Sequence, residues 1–331
     1  MAELRWGVLG VANIAVRAVI PAIHAAANAR LVAIASRSTT RAQDAAARLG
    51  VLRAHGSYEA LLADHDVDAV YIPLPNALHL EWTVRCAEAG KHVLCEKPLA
   101  LTAADGEAMI AACRRRGVVL VEAFMYRFHP RTRRAAQLVA EGAVGDPRLV
   151  RAAFTFALRS RDNIRLQADL GGGSLYDVGC YAVNVSRLML GEPHAAFAFG
   201  QIGPSGVDEV LGGLLQFDGG RVALIDCALT LPRRQEYEVV GSRGRLVVPV
   251  AFLPGTADAE IRLTRDEEPS VITVSGVDQY RLMVEQFGEA VLNGAPPLLP
   301  PEDAVANLRV IEALFRSLRG GRAEPVTPAA S

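Results

Sequence analysis

Between Leu4 and Glu122 short apolar runs alternate with helix-like stretches, and this alternation constrains the chain more than any other feature. The runs are Leu4–Gly10, Arg30–Ser36, Asp68–Pro73, His92–Cys95 and Val118–Glu122, with a shorter segment at Arg53–His55. Between them the sequence predicts an Ala-rich helix up to Ala27 and helices at Arg41–Leu49, at Ser57–Ala63 with Ser57 as N-cap, from His79 through Ala89 to Gly90, and at Ala103–Arg116 with Thr102 as N-cap. Strand and helix alternating at this spacing predict a parallel sheet covered by helices. In such a sheet ligands bind outside the carboxyl ends of the strands. The residues that follow each run are therefore the ones to read for chemistry.

The first run is followed by Gly10-Val11-Ala12-Asn13-Ile14-Ala15, a G-x-A-x-x-A form of the dinucleotide fingerprint. Gly10 suits the tight turn, Ala12 the approach to a pyrophosphate, and Ala15 close helix–strand packing. The second run ends in Ser36-Arg37-Ser38, with Arg41 behind. NAD enzymes place a carboxylate there for the ribose 2′-hydroxyl; hydroxyls and guanidinium groups suit a 2′-phosphate instead. The competing reading makes Arg37 and Arg41 solvated helix-start charges. The third run ends in Pro73-Leu74-Pro75-Asn76, with His79 opening the next helix, as a ligand-side residue or as a helix-start polar group. The fourth ends in Glu96-Lys97-Pro98, where proline biases Lys97 towards an extended backbone. Of 35 basic side chains only Lys91 and Lys97 are lysines. Lysine is the basic residue whose amine burial can tune, so its use at a strand end points to chemistry.

After residues 123–130 the pattern changes. A helix at Arg131–Glu141 precedes alternating strands at Arg148–Phe156, Leu211–Phe217, Arg221–Leu231, Tyr237–Gly241, Arg245–Val250, Glu260–Thr264 and Val271–Ser275, and two helices follow at Tyr280–Leu292 and Asp303–Leu318. Tight glycine turns between strands predict a large, mostly antiparallel open sheet. One helix interrupts it, from Gly171-Gly172-Gly173-Ser174 to Leu190, with Ser174 as a potential cap. Asp177, Tyr181 and Asn184 fall at i, i+4 and i+7, one face of that helix. The fold class expected is α/β plus α+β. A doubly wound Rossmann domain spans 1–125, and an α/β substrate domain spans 126–320, its C-terminal helix returning to the first. The tail, 321–331, is expected to fray.

Composition narrows the partners. A net charge of −1 offers nothing to nucleic acid or an anionic membrane. Five scattered cysteines without CxxC spacing suit reduced thiols, and the start of the chain has no basic-then-apolar leader, so a cytoplasmic location is expected. No metal-ligand cluster is apparent, and no apolar run reaches the roughly 18 residues of a membrane span.

Taken together, Gly7–Ala15, Ala35-Ser36-Arg37, Gly90–Pro98, Glu122–Pro130 and Gly171–Tyr181 resemble, in this order, the motifs of the glucose-fructose oxidoreductase/inositol dehydrogenase/rhizopine catabolism (Gfo/Idh/MocA) family. The likeness spans residues 4 to about 319. It departs from the common pattern at Ala12, where the fingerprint has glycine, and at Tyr181, where many inositol dehydrogenase-like members carry histidine. The tyrosine form is similar to the branch with glucose-fructose oxidoreductase, dimeric dihydrodiol dehydrogenase, xylose dehydrogenases and sugar 3-ketoreductases. The resemblance implies an oxidoreductase using NADP, with NAD as the alternative. Cofactor contacts would fall at Gly10, Ala12, Asn13, Ile14, Ser36, Arg37, Arg41, Pro73, Leu74, Asn76, His79, Glu96, Lys97 and Arg127, and catalytic roles on Lys97, Tyr181 and Asp177. It further implies a small sugar-like substrate and a homodimer or homotetramer built on the open sheet. Two alternatives stand beside it: a reductase of non-sugar dicarbonyls or trans-dihydrodiols, and a non-catalytic NADP-binding sensor.

Overall fold

The apolar runs of the first half form one sheet. In the computed structural model, which describes residues 2–327, the strands are β1 (Leu4–Leu9), β2 (Ala29–Ala35), β3 (Arg53–His55), β4 (Ala69–Ile72), β5 (His92–Cys95) and β6 (Leu120–Glu122). All pair in parallel, in the order β3-β2-β1-β4-β5-β6. The central strands β1, β4 and β5 are nearly all buried, as a sheet covered on both faces requires. The connecting helices are α1 (Ile20–Ala25), α2 (Thr39–Leu49), α3 (Tyr58–Leu62), α4 (His79–Glu88) and α5 (Ala103–Arg116). Ser57 and Thr102 cap α3 and α5 through the N–H groups of Ala60 and Asp105. Ser38 caps α2 through Arg41 N, so that helix starts before the expected Arg41. The Ala-rich run after Gly10 is not a plain α-helix. Ala15–Val19 forms a π-type turn in which Ile20 N reaches back to Ala15 O. Pro21 explains it: with no N–H it cannot bond to Arg17 O, and the helix widens just ahead of it.

The second half contributes α6 (Pro130–Ala140), β7 (Pro147–Ala157), α7 (Cys180–Leu190), β8 (Ala195–Ile202), β9 (Asp208–Gln216), β10 (Val222–Ala228), β11 (Thr230–Gly241), β12 (Gly244–Val248), β13 (Ala259–Arg265), β14 (Glu268–Val274), α8 (Gln279–Leu292), α9 (Pro301–Gly320) and β15 (Glu324–Pro325). Their sheet runs β14-β13-β12-β11-β7-β10-β9-β8-β15 and is antiparallel except for β7 with β10. The expected strand Arg221–Leu231 is in fact two. The chain leaves the sheet at Leu229 and re-enters on the other side of β7, so that β10 and β11 flank the same strand. The expectation missed β8. Its inward residues are small, Ala196 and Ala198, while Phe197 and Phe199 point outward, so the usual polar outer face is lacking. Residues 321–327 do not fray as expected: β15 pairs with β8, and Ser317 Oγ donates to Arg322 O at 2.5 Å. Residues 328–331 lie outside the described residues.

The chain forms two compact units, one running to Phe128 and including Asp278–Val305, the other His129–Val277 with the residues from Ala306 on. In the first, α8 packs on β1 through Trp6 and Phe287, whose ring centroids are 4.9 Å apart, and Asn28 Nδ2 donates to Glu285 O at 2.9 Å. In the second, Phe197, Leu214 and Leu224 are register partners across β8, β9 and β10. With Phe199 at 68% exposure they make an apolar strip on the outer sheet face. Among the described residues no helix is long and apolar enough to cross a membrane, and no group of three or more His, Cys, Asp or Glu could hold a metal ion.

A buried and a half-buried imidazole make the first unit acid-sensitive. Desolvation holds His79 and His92 below the usual histidine pKa. As pH falls through about 6.5 the unfolded chain takes up protons that the folded unit refuses, so stability falls with pH, by up to about 1.4 kcal/mol per pH unit for a fully buried imidazole. In the second unit burial depresses His129 to about 4 but raises Asp208 to about 6, two effects of opposite sign. Both tryptophans, Trp6 and Trp82, are buried in the first unit and report it alone. The urea midpoint followed by tryptophan emission should fall between pH 7.5 and 5.5; a constant midpoint would show that these imidazoles are not kept neutral.

Candidate active site

Strand order reverses between β1 and β4, which opens a crevice at the carboxyl edge of the first sheet. Gly10 stands at its start with φ +102°, its N–H bonded to Ala35 O at 2.8 Å. A Cβ there would press on Leu74 Cδ2 and Tyr58 Oη, at 3.3 and 3.4 Å, in a backbone region that other residues rarely adopt. Asn13 and Ile14 begin the helical run that follows, where backbone N–H groups lack helical partners and favour anions. Ser36 is buried and accepts from Ser38 N at 3.3 Å; Arg37 is exposed beside it. Arg41 reaches back across the loop and donates to Val11 O at 3.0 Å. The positive charges of Arg37 and Arg41 also act on the Tyr58 hydroxyl, although burial dominates and raises its pKa. The structure thus gathers Gly10, Ser36, Arg37, Arg41, Tyr58 and Leu74 at one strand edge. The glycine cradle, the open helix start and the carboxylate-free end of β2 fit a dinucleotide with a 2′-phosphate.

The next two strand ends are fastened to one another. His79 is fully buried; its Nδ1 lies 3.0 Å from Pro98 O and its Nε2 2.9 Å from Leu74 O. A neutral imidazole carries one N–H and so bonds to one of these carbonyls at a time; in either tautomer the ring lies between the Pro73–Asn76 loop and the Lys97 turn. Beyond β5, Glu96 N bonds Ile72 O, and the Lys97–Pro98 peptide is cis. Tyr71 Oη donates to Glu96 Oε1 at 2.6 Å, and Lys97 N donates to Glu96 Oε2 at 3.3 Å. Burial, reinforced by the Glu96 charge, keeps Tyr71 protonated and a donor. Past the proline, Leu99 N donates to the buried Glu122 at 2.7 Å. Lys97 is half-buried at this braced corner. The other lysine, Lys91, is structural: Nζ donates to Asp64 O and Val67 O at 2.8 and 2.7 Å. Arg127 faces Asp303 at 3.6 Å.

The second unit holds Asp177 and Tyr181 on successive turns of one helical run. Ser174 does not cap that run as expected. Its hydroxyl instead donates to Asp208 Oδ2 at 2.7 Å, and the same oxygen accepts Leu175 N at 2.7 Å, so Asp208 is the cap. This explains Gly173: at φ +122° any Cβ would collide with Asp208 Oδ1. The run begins with a π-type turn, Leu175–Gly179, and continues as α7. Asp177 Oδ2 accepts from Arg165 Nε at 2.6 Å. Tyr181 is 3% exposed, with Phe154 and Phe252 against its ring at 5.3 and 5.1 Å, and Asn184 is fully buried. The expected polar stripe is thus an internal one. Sequence reading missed Tyr71, Asp208, Phe154 and Phe252. None lies in a motif, and each acts through a partner distant in the chain.

These features have counterparts in known proteins. Residues 4–124 match the model of an oxidoreductase family with an NAD-binding Rossmann fold, and 132–247 match the GFO/IDH/MocA C-terminal domain. D-xylose 1-dehydrogenase (NADP(+)) 2 of Haloferax volcanii is 44% identical over 325 residues, 97% of this chain and 99% of its own. The structure of a 3-ketoreductase from Actinomadura kijaniata in complex with NADP and TDP-benzene superposes with a TM-score of 0.90 at 35% identity, covering 95% of this chain and 98% of that one. The aldose-aldose oxidoreductase of Caulobacter crescentus, complexed with glycerol, does so with a TM-score of 0.90 at 32% identity, covering 98% and 99%. With both domains matched and a curated relative aligned along nearly its whole length, the chain belongs to the Gfo/Idh/MocA family of oxidoreductases.

Proposed function

We propose that the protein is an NADP-dependent oxidoreductase of a sugar or sugar derivative, with Lys97 and Tyr181 handling the proton. The observation that carries the reading is the Glu96–Lys97–Pro98 corner, braced by His79, Tyr71 and Glu122 at the carboxyl edge of a dinucleotide-type sheet. Relatives named for xylose and for aldoses, and one named a 3-ketoreductase, support the substrate class. Ser36, Arg37 and Arg41 would hold the 2′-phosphate, and Gly10 to Ile14 the pyrophosphate. NADP, when bound, supplies or accepts the hydride. Pro73, Leu74 and Asn76 would line the nicotinamide side, with His79 and Glu96 keeping that loop and the Lys97 turn in place.

Hydride transfer to a carbonyl leaves an oxygen that needs a proton. Tyr181 Oη is the donor in this reading, and its ordinary pKa of about 10 has to fall for exchange near neutrality. The Lys97 ammonium favours the phenolate and polarises the carbonyl. Asp177, already held by Arg165, orients a sugar hydroxyl. In the oxidative direction the same groups take the proton. A panel of aldoses, keto-sugars, diketones and dihydrodiols, followed by NADPH absorbance, tests the substrate class. Turnover confined to diketones or dihydrodiols would replace the sugar reading, and tight NADPH binding without any turnover would make the protein a sensor. In its quaternary structure the protein is a homodimer or homotetramer joined through the strip of Phe197, Phe199, Leu214 and Leu224.

Lys97→Met and Tyr181→Phe should each lower single-turnover rates about 10²–10⁴-fold with NADPH affinity nearly kept, and the double variant should be little worse than the slower single one. A Tyr181→Phe enzyme at full rate would reduce Tyr181 to packing. Arg37→Ala should weaken NADPH at least about tenfold more than NADH in fluorescence titrations, on the scale of one charge-assisted bond; equal losses would refute the 2′-phosphate site. Phe199→Glu should convert the assembly to monomer in sedimentation, whereas a wild-type monomer at micromolar concentration would remove the interface.

A further inference from the structure

Arg131 is a buried charge with no part in the site described above. It is 2% exposed, on the first turn of α6. Its partners are three successive backbone carbonyls: Nη1 donates to Pro249 O at 2.9 Å, and Nη2 to Val250 O and Ala251 O at 2.8 and 2.9 Å. Capping of α6 does not need it, because His129 Nδ1 already accepts Arg131 N at 3.0 Å. A cation kept inside against dipoles alone is costly, so the turn it grips is where its effect should be sought.

That turn is one the local sequence does not favour. Val250 has φ +47°, unfavourable for a β-branched residue, and the residue is 48% exposed, so its own packing does not hold it there. The turn aims the next residues inward. Ala251 N donates to Gln235 O at 2.7 Å and Leu253 N to Gln235 Oε1 at 2.8 Å, with the fully buried Phe252 between them. The Phe252 ring stacks on Phe154 at 5.3 Å and 14°, and leans on Tyr181 at 5.1 Å and 49°. Phe154 meets Tyr181 edge-on at 5.3 Å and 63°. The phenol is therefore held by two rings, one of which hangs from the turn that Arg131 grips.

We propose that Arg131 is a positioning residue for Tyr181, acting through the Pro249–Ala251 turn and Phe252. The proposal rests on the reading of Tyr181 as proton donor. Proton transfer needs hydrogen-bond reach, and a misplacement of about 1 Å can cost 10²-fold, so a loosened ring should show in the chemical step.

The experiment is a double-mutant cycle on single-turnover rates, with wild type, Arg131→Met, Tyr181→Phe and the double variant, alongside NADPH dissociation constants and circular dichroism. Arg131→Met should lose about ten- to hundredfold in rate with NADPH affinity within about twofold, and in the Tyr181→Phe background the further loss should be less than about twofold. A merely structural arginine would cost the same factor in both backgrounds; that result, or full activity of Arg131→Met, overturns the proposal. Should Arg131→Met not fold, Phe252→Leu removes the ring and leaves the clamp, and the same cycle applies with the same expectation and the same overturning result. A Tyr181→Phe enzyme with wild-type turnover would overturn the proton-donor reading itself, and this proposal with it, whatever Arg131→Met does.

Discussion

Every strand of the first sheet runs in the same direction, and the placement of that unit's functional residues follows from it. A parallel strand can be rejoined only through a crossover, so each strand delivers its last residue to one edge and each helix starts there. Gly10, Ser36, Pro73 and Glu96 are far apart in the chain, yet each directly follows the last residue of a strand on this edge. The reversal of strand order between β1 and β4 then separates the flanking helices and leaves the crevice. Had one of these strands been antiparallel, its loop would have faced the opposite end of the unit.

In both units, buried polar groups fix loops and turns by bonding to backbone. His79 lies between two loops with a carbonyl at each ring nitrogen, Glu122 takes the N–H of Leu99, Asp208 caps the helical run of Asp177, and Lys91 and Arg131 grip carbonyls. A charged group bonded to backbone inside the protein makes a stronger hydrogen bond than a neutral one and fixes direction as well as distance. Removing it strands its partners without water. Exposed pairs such as Arg243–Asp266, at 2.6 Å, are screened and contribute little by comparison.

The second unit solves a different problem. In its sheet β7 is flanked by two consecutive strands, and the helical run of Asp177 and Tyr181 lies against it through Phe154 of β7. The π-type turn at Leu175–Gly179 and the glycines before it belong to that fit. Ser174 is fully buried against Asp208 and Cys227, and at Gly179 a side chain would strike Cys227 Sγ and Leu175. On the proposed reading, the proton donor belongs to this unit and the dinucleotide-type edge to the other.

Local sequence determined the elements whose signals are local. Apolar runs, N-caps at Ser57 and Thr102, the turn at Gly10 and the proline after Lys97 could be read directly, because strand burial, capping and turn conformation depend on near neighbours. From these came the parallel sheet, the candidate cofactor edge and the attention to Lys97; the choice of Tyr181 came from the family resemblance. What only tertiary structure decided rests on contacts distant in the chain. It placed the buried His79 between two loops, with Leu74 O and Pro98 O at its ring nitrogens. It moved the cap from Ser174 to Asp208, 34 residues on, and split Arg221–Leu231 across β7. It turned β8 outward with its phenylalanines and brought Asp278–Val305 into the first unit. Pattern along the chain sets which backbone conformation is cheap; which polar group is left to satisfy which other is settled only once the strands have been placed side by side.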